Sequence, residues 1–262
     1  MKNLTPIARI FYCIGIIGIA AQQFYYNDFR PVLIPQWPAW LPTILIWANI
    51  VGAILIVLAV CILIKKKEKN AALILGGFLL FLFLVFQVPY MLFVFPYTWH
   101  LGVWTNPLKT LALSGGAFIV AGSFSTDVAK NSLMKFLSGF IPCGKIFFSI
   151  MMISFGIDHF LYTDGVADLV PGWIPEHVFW TYVAGVLLIG TGVAIILNIK
   201  RRLVSMLAGI MLLAWVFVLH IPRAVAHPEM EKGNEITSVF EALAFSGVAF
   251  LIAQATYKNK NE

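Results

Sequence analysis

Two histidines give this chain its clearest chemical lead. His159 stands in Gly156-Ile157-Asp158-His159-Phe160 and His220 in His220-Ile221-Pro222-Arg223, each at the outward end of an apolar stretch. Imidazole both donates and accepts hydrogen bonds near neutral pH, which suits it to the carbonyl of a quinone or a similar small ligand. Its neutral nitrogen also ligates haem iron or other metals. No Cys-x-x-Cys-His and no paired in-helix histidines accompany these two, which argues against haem and leaves no metal set to name. Asp158, Arg223 and Glu241 fall near the same end of their segments. Arg223, about one turn beyond His220, can pair with Asp158 or Glu241 and hold it ionised. The plainer reading is that these groups satisfy one another and seal the end of a helical bundle. No residue can be named as catalytic.

The elements that must carry these groups are apolar and long. Hydrophobic residues make up 60% of the chain and charged residues only 11%, against about 25% charged in soluble domains. Eight apolar segments are expected, at about 7–26, 42–64, 71–95, 107–125, 144–163, 175–198, 203–222 and 236–257. Each approaches the ~20 residues needed to cross a hydrocarbon core as a helix. Lipid leaves no partner for an open backbone, and the two-residue alternation of a membrane strand is absent, so the segments read as helices.

The segments form two sets. Residues 10–122 align with 146–254 at an offset that drifts from 136 (Phe24 to Phe160) through 133 (Pro42 to Pro175) to 132 (Leu111 to Leu243). The last segments match best, LALSGGAFIVA against LAFSGVAFLIA. The copies differ where chemistry is expected: Gln23 and Gln87 stand where the second copy has His159 and His220. Four helices return the chain to its starting side, so the halves have the same orientation. The expected fold is an all-α membrane protein with eight transmembrane helices in two parallel-oriented four-helix bundles. The first occupies 1–125, a cytoplasmic linker 126–143, and the second 144–262.

Charge sorts by side. Lys2, Arg9, Lys65, Lys66, Lys67, Lys69, Lys130, Lys135, Lys145, Lys200, Arg201, Arg202, Lys258 and Lys260 all fall on one face; Arg30, Lys109, Arg223 and Lys232 fall on the other. The positive-inside rule places the first face, with both termini, in the cytoplasm of a bacterial-type inner membrane. The net charge of +6 therefore reflects orientation and does not suggest nucleic acid as a partner. Trp37, Trp40, Trp47, Trp99, Trp104, Trp173 and Trp180 cluster near outer ends, as an aromatic belt does. The Pro31–Pro42 and Val170–Pro175 stretches read as re-entrant or surface-lying segments. Lys109 and Glu241 hold equivalent positions; their opposite charges can pair across the interface between the copies, but the favoured expectation is that each reaches the headgroups independently. His100, His177 and His227 read as surface or loop residues.

Cys13, Cys61 and Cys143 are isolated, so neither a disulfide framework nor a dithiol pair is expected. The first segment, with Lys2 and Arg9 before it, looks like a signal peptide. Its recurrence as the fifth segment argues that it is retained.

The second copy resembles the DoxX-like membrane family. The resemblance rests on Gly156–Phe160, then Val170-Pro171-Gly172-Trp173-Ile174-Pro175, the glycines Gly185, Gly190 and Gly192, the basic turn Lys200-Arg201-Arg202, and His220–Arg223. Order and spacing carry it rather than any one motif. Family members are usually single four-helix units, so the chain resembles two fused. The resemblance implies a membrane component of a redox system, contacting quinone or a small sulfur-containing substrate near the outer face, with a membrane or periplasmic redox partner. The different-class alternative is a non-enzymatic binding, assembly or transport protein. Transport is weakened by the lack of charged residues near the midplane.

Overall fold

The computed structural model describes residues 3–35, 44–95, 97–124 and 131–255, and every element among them is helical. Trp37, Trp40, Pro42, Pro96, Lys2, Lys258, Lys260 and the linker residues 126–130 lie outside the described residues. Helix α1 spans Thr5–Tyr26, with Pro6 in its first turn and Asn27 closing it in a left-handed conformation. Helix α2 spans Ile44–Leu63. Helix α3 (Glu68–Leu82) runs on through π-helical turns at Phe83–Gln87 and Tyr90–Val94. Helix α4 spans Thr105–Gly122, and α5 is the short Ser132–Ser138.

The second half follows the same plan. Helix α6 spans Gly144–Leu161, α7 is the short Thr163–Ala167, and α8 spans His177–Ile196. Helix α9 (Arg201–Trp215) continues through a π turn at Val216–His220 into α10 (Ile221–Ala226), and α11 spans Asn234–Gln254. The π turns at Phe83–Gln87 and Val216–His220 have a covalent cause. Pro89 and Pro222 have no backbone N–H to offer the carbonyl one turn earlier, and the widened turn absorbs the gap. Gln87 and His220 end these turns. The basic connections are tight: Lys65, Lys67, Asn198 and Lys200 all adopt left-handed backbone.

Among the described residues, seven helical stretches are long and apolar enough to cross a membrane: Thr5–Tyr26, Leu45–Leu63, Glu68–Val94, Ser132–Leu161, His177–Ile196, Arg201–Ala226 and Asn234–Gln254. Their outward faces carry large apolar side chains such as Ile46, Val57, Phe81, Leu84, Val186, Leu207 and Phe217. Such a belt calls for lipid rather than water as its solvent. The eighth expected segment, α4, falls short of that apolar standard because its first turns carry Asn106 and Lys109. The physical reason is its position. α4 is packed against α3, α6 and α11, so most of it is shielded by protein rather than by lipid.

The helices pack in a ring: α1 on α2, α2 on α3, α3 on α4, α4 on α6, α6 on α8, α8 on α9, α9 on α11, and α11 back on α1. α4 and α11 also touch across the centre. Two of the most extensive contacts, α1 with α11 and α4 with α6, thus run between the halves. Small residues permit them. A Cβ on Gly15 would meet the Phe240 carbonyl at 2.5 Å, and one on Gly115 would meet the Gly144 carbonyl at 2.6 Å.

Matching positions in the two halves make matching contacts. Ser114 donates to the Gly76 carbonyl at 2.8 Å, and Ser246 to the Gly209 carbonyl at 2.9 Å. Gly76 faces the Phe118 ring and Gly209 the Phe250 ring. Gly52 faces Phe24, the Ala20 carbonyl and the Gln23 amide, while Gly185 faces Phe160, the Gly156 carbonyl and His159. After residue 130, Asn131 caps α5 by accepting from the Leu133 N–H. Leu137 then packs over Gly77.

Candidate functional site

The helices of the second half, closed on one side by α4, surround a cavity of about 600 Å³. That lies within the ~300–1,000 Å³ range of small-molecule sites. Its walls are mainly apolar: Met151, Met152 and Phe155 from α6, Trp180, Ala184 and Leu188 from α8, Met211 and Trp215 from α9, and Ala242 and Phe245 from α11. Asp158, His159, His220, Lys109 and Glu241 supply the charge and hydrogen-bonding capacity.

His159 is held by its own helix. Its Nδ1 lies 2.7 Å from the Phe155 carbonyl, one turn back. Close packing of α6 on α8 fixes the backbone beneath it, because a Cβ on Gly185 would sit 3.0 Å from the His159 Cβ. His220 reaches the cavity from the π turn of the α9–α10 helix, where widening changes the direction of the side chains that follow. Asp158 lines the same wall, and its Oδ1 is enclosed without a hydrogen-bond partner.

Four of the five sequence candidates therefore meet at one cavity: Asp158, His159, His220 and Glu241. Arg223 does not. The expected pairing of Arg223 with Asp158 or Glu241 is corrected by the structure, in which it grips Glu235 with two hydrogen bonds of 3.1 and 2.6 Å. Glu235 opens α11 and is nearer to α10 than either expected partner, so the guanidinium is spent outside the cavity. Glu241 is instead paired with Lys109 at 2.7 Å, with only 5% of its side chain exposed. The expectation that these two reach the headgroups separately is thereby overturned. The α4–α11 contact brings them together, and burial leaves each no other counter-charge. Lys109 is the site residue that sequence reasoning passed over. Its signal was there, as the basic member of an opposite-charge couple at equivalent positions.

In the first half the corresponding space is filled from within. The chain after α1 turns inward, burying Val32, Leu33 and Ile34 completely or nearly so. Gln87 donates to the Pro31 carbonyl at 2.8 Å, and the Thr110 hydroxyl donates to the Val32 carbonyl. Arg30, 1% exposed, donates to the Lys232 carbonyl at 2.5 Å and stacks on Tyr26. The described part of the first outer connection is thus inserted rather than surface-lying. In the second half Trp173 remains 74% exposed. Gln23, at the His159-equivalent position, is fully buried and its amide has no hydrogen-bond partner.

Among the described residues no group of three or more His, Cys, Asp or Glu side chains is placed to hold a metal ion. The three cysteines are free. His227 is exposed in its loop.

One family model matches the chain. It is described as Domain of unknown function (DUF8561) and covers residues 148–256, from α6 to the end of α11. The match thus encloses most of the cavity wall but not Lys109. No curated protein and no solved structure matches the chain.

Proposed function

We propose that the second half is a membrane-embedded binding site for a small apolar molecule with a polar ring head, of the quinone class, and that the protein is an integral membrane component of a redox system. One observation carries this reading: a cavity of about 600 Å³ with mainly apolar walls converges on two histidines and an unpartnered carboxyl group. A ring head of that class needs hydrogen bonds only at its edge, and its body needs apolar contact. His159 and His220 are suited to the edge, Trp180, Trp215 and Phe155 to the ring faces, and the methionines to a variable tail. Any redox chemistry belongs to the bound molecule and a partner subunit.

The proposal includes the architecture. Eight helices cross an inner membrane as two parallel four-helix units arising by duplication, with both termini cytoplasmic. The paired Ser114–Gly76 and Ser246–Gly209 contacts support duplication, and burial of α4 explains how a more polar helix can be the eighth span. Resemblance of the second half to DoxX-like proteins supports the redox assignment. The plugged first half supports a single working site per chain.

The test is binding of a soluble naphthoquinone to the purified protein, compared with His159→Gln, His220→Gln and the double variant. The first half already carries glutamine at both positions, so folding should persist. Each single change should weaken binding of whichever form, quinone or hydroquinone, the unaltered protein holds more tightly, and the pair should be strongly non-additive if both histidines hold one ligand. Full binding in the double variant would refute the assignment.

A further inference from the structure

The cavity's hydrogen-bonding groups are not neutral toward the two forms of a quinone-class ligand, and this inference rests on the reading just given. A carbonyl oxygen only accepts, so the 2.7 Å contact with the Phe155 carbonyl requires the proton of His159 to sit on Nδ1. The neutral ring carries one proton, which leaves its Nε2 as a pure acceptor. Asp158, the adjacent residue on the same helix, lines the same cavity, and its Oδ1 has no hydrogen-bond partner among the described residues. An ionised carboxylate is likewise acceptor-only. Glu241 is already paired with Lys109. His159 Nε2, on the α6 wall, is therefore an acceptor without a donor among the described residues.

We infer that the ligand head carries an O–H group that donates to His159 Nε2, so that the site selects a hydroxyl on an apolar ring over a quinone carbonyl. A carbonyl set against an imidazole acceptor and a carboxylate places lone pairs against lone pairs and leaves buried groups unsatisfied. Sites built to hydrogen-bond a hydroxyl reject analogues lacking it strongly for that reason. The shared chemistry is that of a hydroquinone or another phenol. His220 and the free protons of Lys109, which also line the cavity, can still serve the oxygen's lone pairs, because a hydroxyl both donates and accepts.

The experiment compares four probes on the full-length purified protein at about pH 8, above the ordinary titration range of imidazole. They are 2-naphthol, its methyl ether, menadione, and menadiol kept reduced under anaerobic conditions. Naphthol should bind at least about tenfold more tightly than the ether, and menadiol than menadione by a similar factor. His159→Phe should bring both ratios close to one. Tighter binding of menadiol than of naphthol identifies the hydroquinone as the source of the hydroxyl, and the reverse order identifies a simple phenol; either order upholds the hydroxyl requirement. Equal binding of naphthol and its ether, or ratios unchanged in His159→Phe, would overturn the inference while menadione binding leaves the proposed site standing. Binding of none of the four would overturn both. If His159→Phe fails to fold, the naphthol-to-ether ratio in the unaltered protein decides alone.

Discussion

Lys109 Nζ lies 2.7 Å from Glu241 Oε2, joining the last helix of the first half to the last helix of the second at the cavity wall. Neither residue has another charged partner in the described structure. Lys109→Met should strand a carboxylate that is almost fully buried and lower stability by about 3 kcal/mol. The double variant Lys109→Met/Glu241→Gln should regain most of that loss, because the isolated charge is gone. Thermal denaturation in detergent, read by circular dichroism, separates the outcomes. Equal stability of Lys109→Met and the unaltered protein would show that the pair contributes nothing.

Two glycines of α8 should respond oppositely to alanine. A Cβ on Gly185 would lie 2.7 Å from Phe160 and 3.0 Å from both the Gly156 carbonyl and the His159 Cβ. Gly185→Ala should therefore push α6 from α8, cost about 1–3 kcal/mol and weaken ligand binding. Gly190 has open space where its Cβ would be, so Gly190→Ala should be neutral or stabilise by up to about 1 kcal/mol. Melting curves and probe binding on both variants test this together.

The inserted segment of the first half should matter for stability and not for binding. Leu33 is fully buried, and Leu33→Ala should cost about 2–5 kcal/mol through lost contact and a residual cavity. Probe binding per folded molecule should be unchanged. A selective loss of binding would mean that the first half takes part in the site.

Topology follows from the charge pattern. Reporter fusions after Lys67 and after Lys200 should read cytoplasmic, and fusions near Asp168 and Glu231 external. A cytoplasmic reading at Asp168 would contradict both the eight-span count and the parallel arrangement of the halves.

Much of this was legible in the sequence, and the limits have physical reasons. Apolar length and composition pointed to membrane-crossing helices, and the change from Gln23 and Gln87 to His159 and His220 pointed to the half that contains the cavity. Local patterning also showed Pro222 beside His220, although not the π turn that accommodates the proline. What could not be read were contacts set by packing between helices. Arg223 chose Glu235 over Asp158, and of the two outcomes open to Lys109 and Glu241 the paired one formed, because the order of helices around the ring decides distances that spacing along the chain does not encode. The stretch from Pro31 was left open between re-entrant and surface-lying readings for a similar reason. Val32, Leu33 and Ile34 are as compatible with an interfacial segment as with a plug, and only the burial of Arg30 against the loop before α11 distinguishes them.

The most direct test of the central claim is a quantitative organic extract of the purified protein, compared with that of Ala184→Trp. Ala184 lines the cavity on α8, and a tryptophan there would fill much of the space. The account predicts a quinone-class or phenolic molecule at near-equimolar amount in the unaltered protein, and its loss in Ala184→Trp while bulk lipid stays constant. Equal amounts of that molecule in both extracts, or none in either, would contradict it.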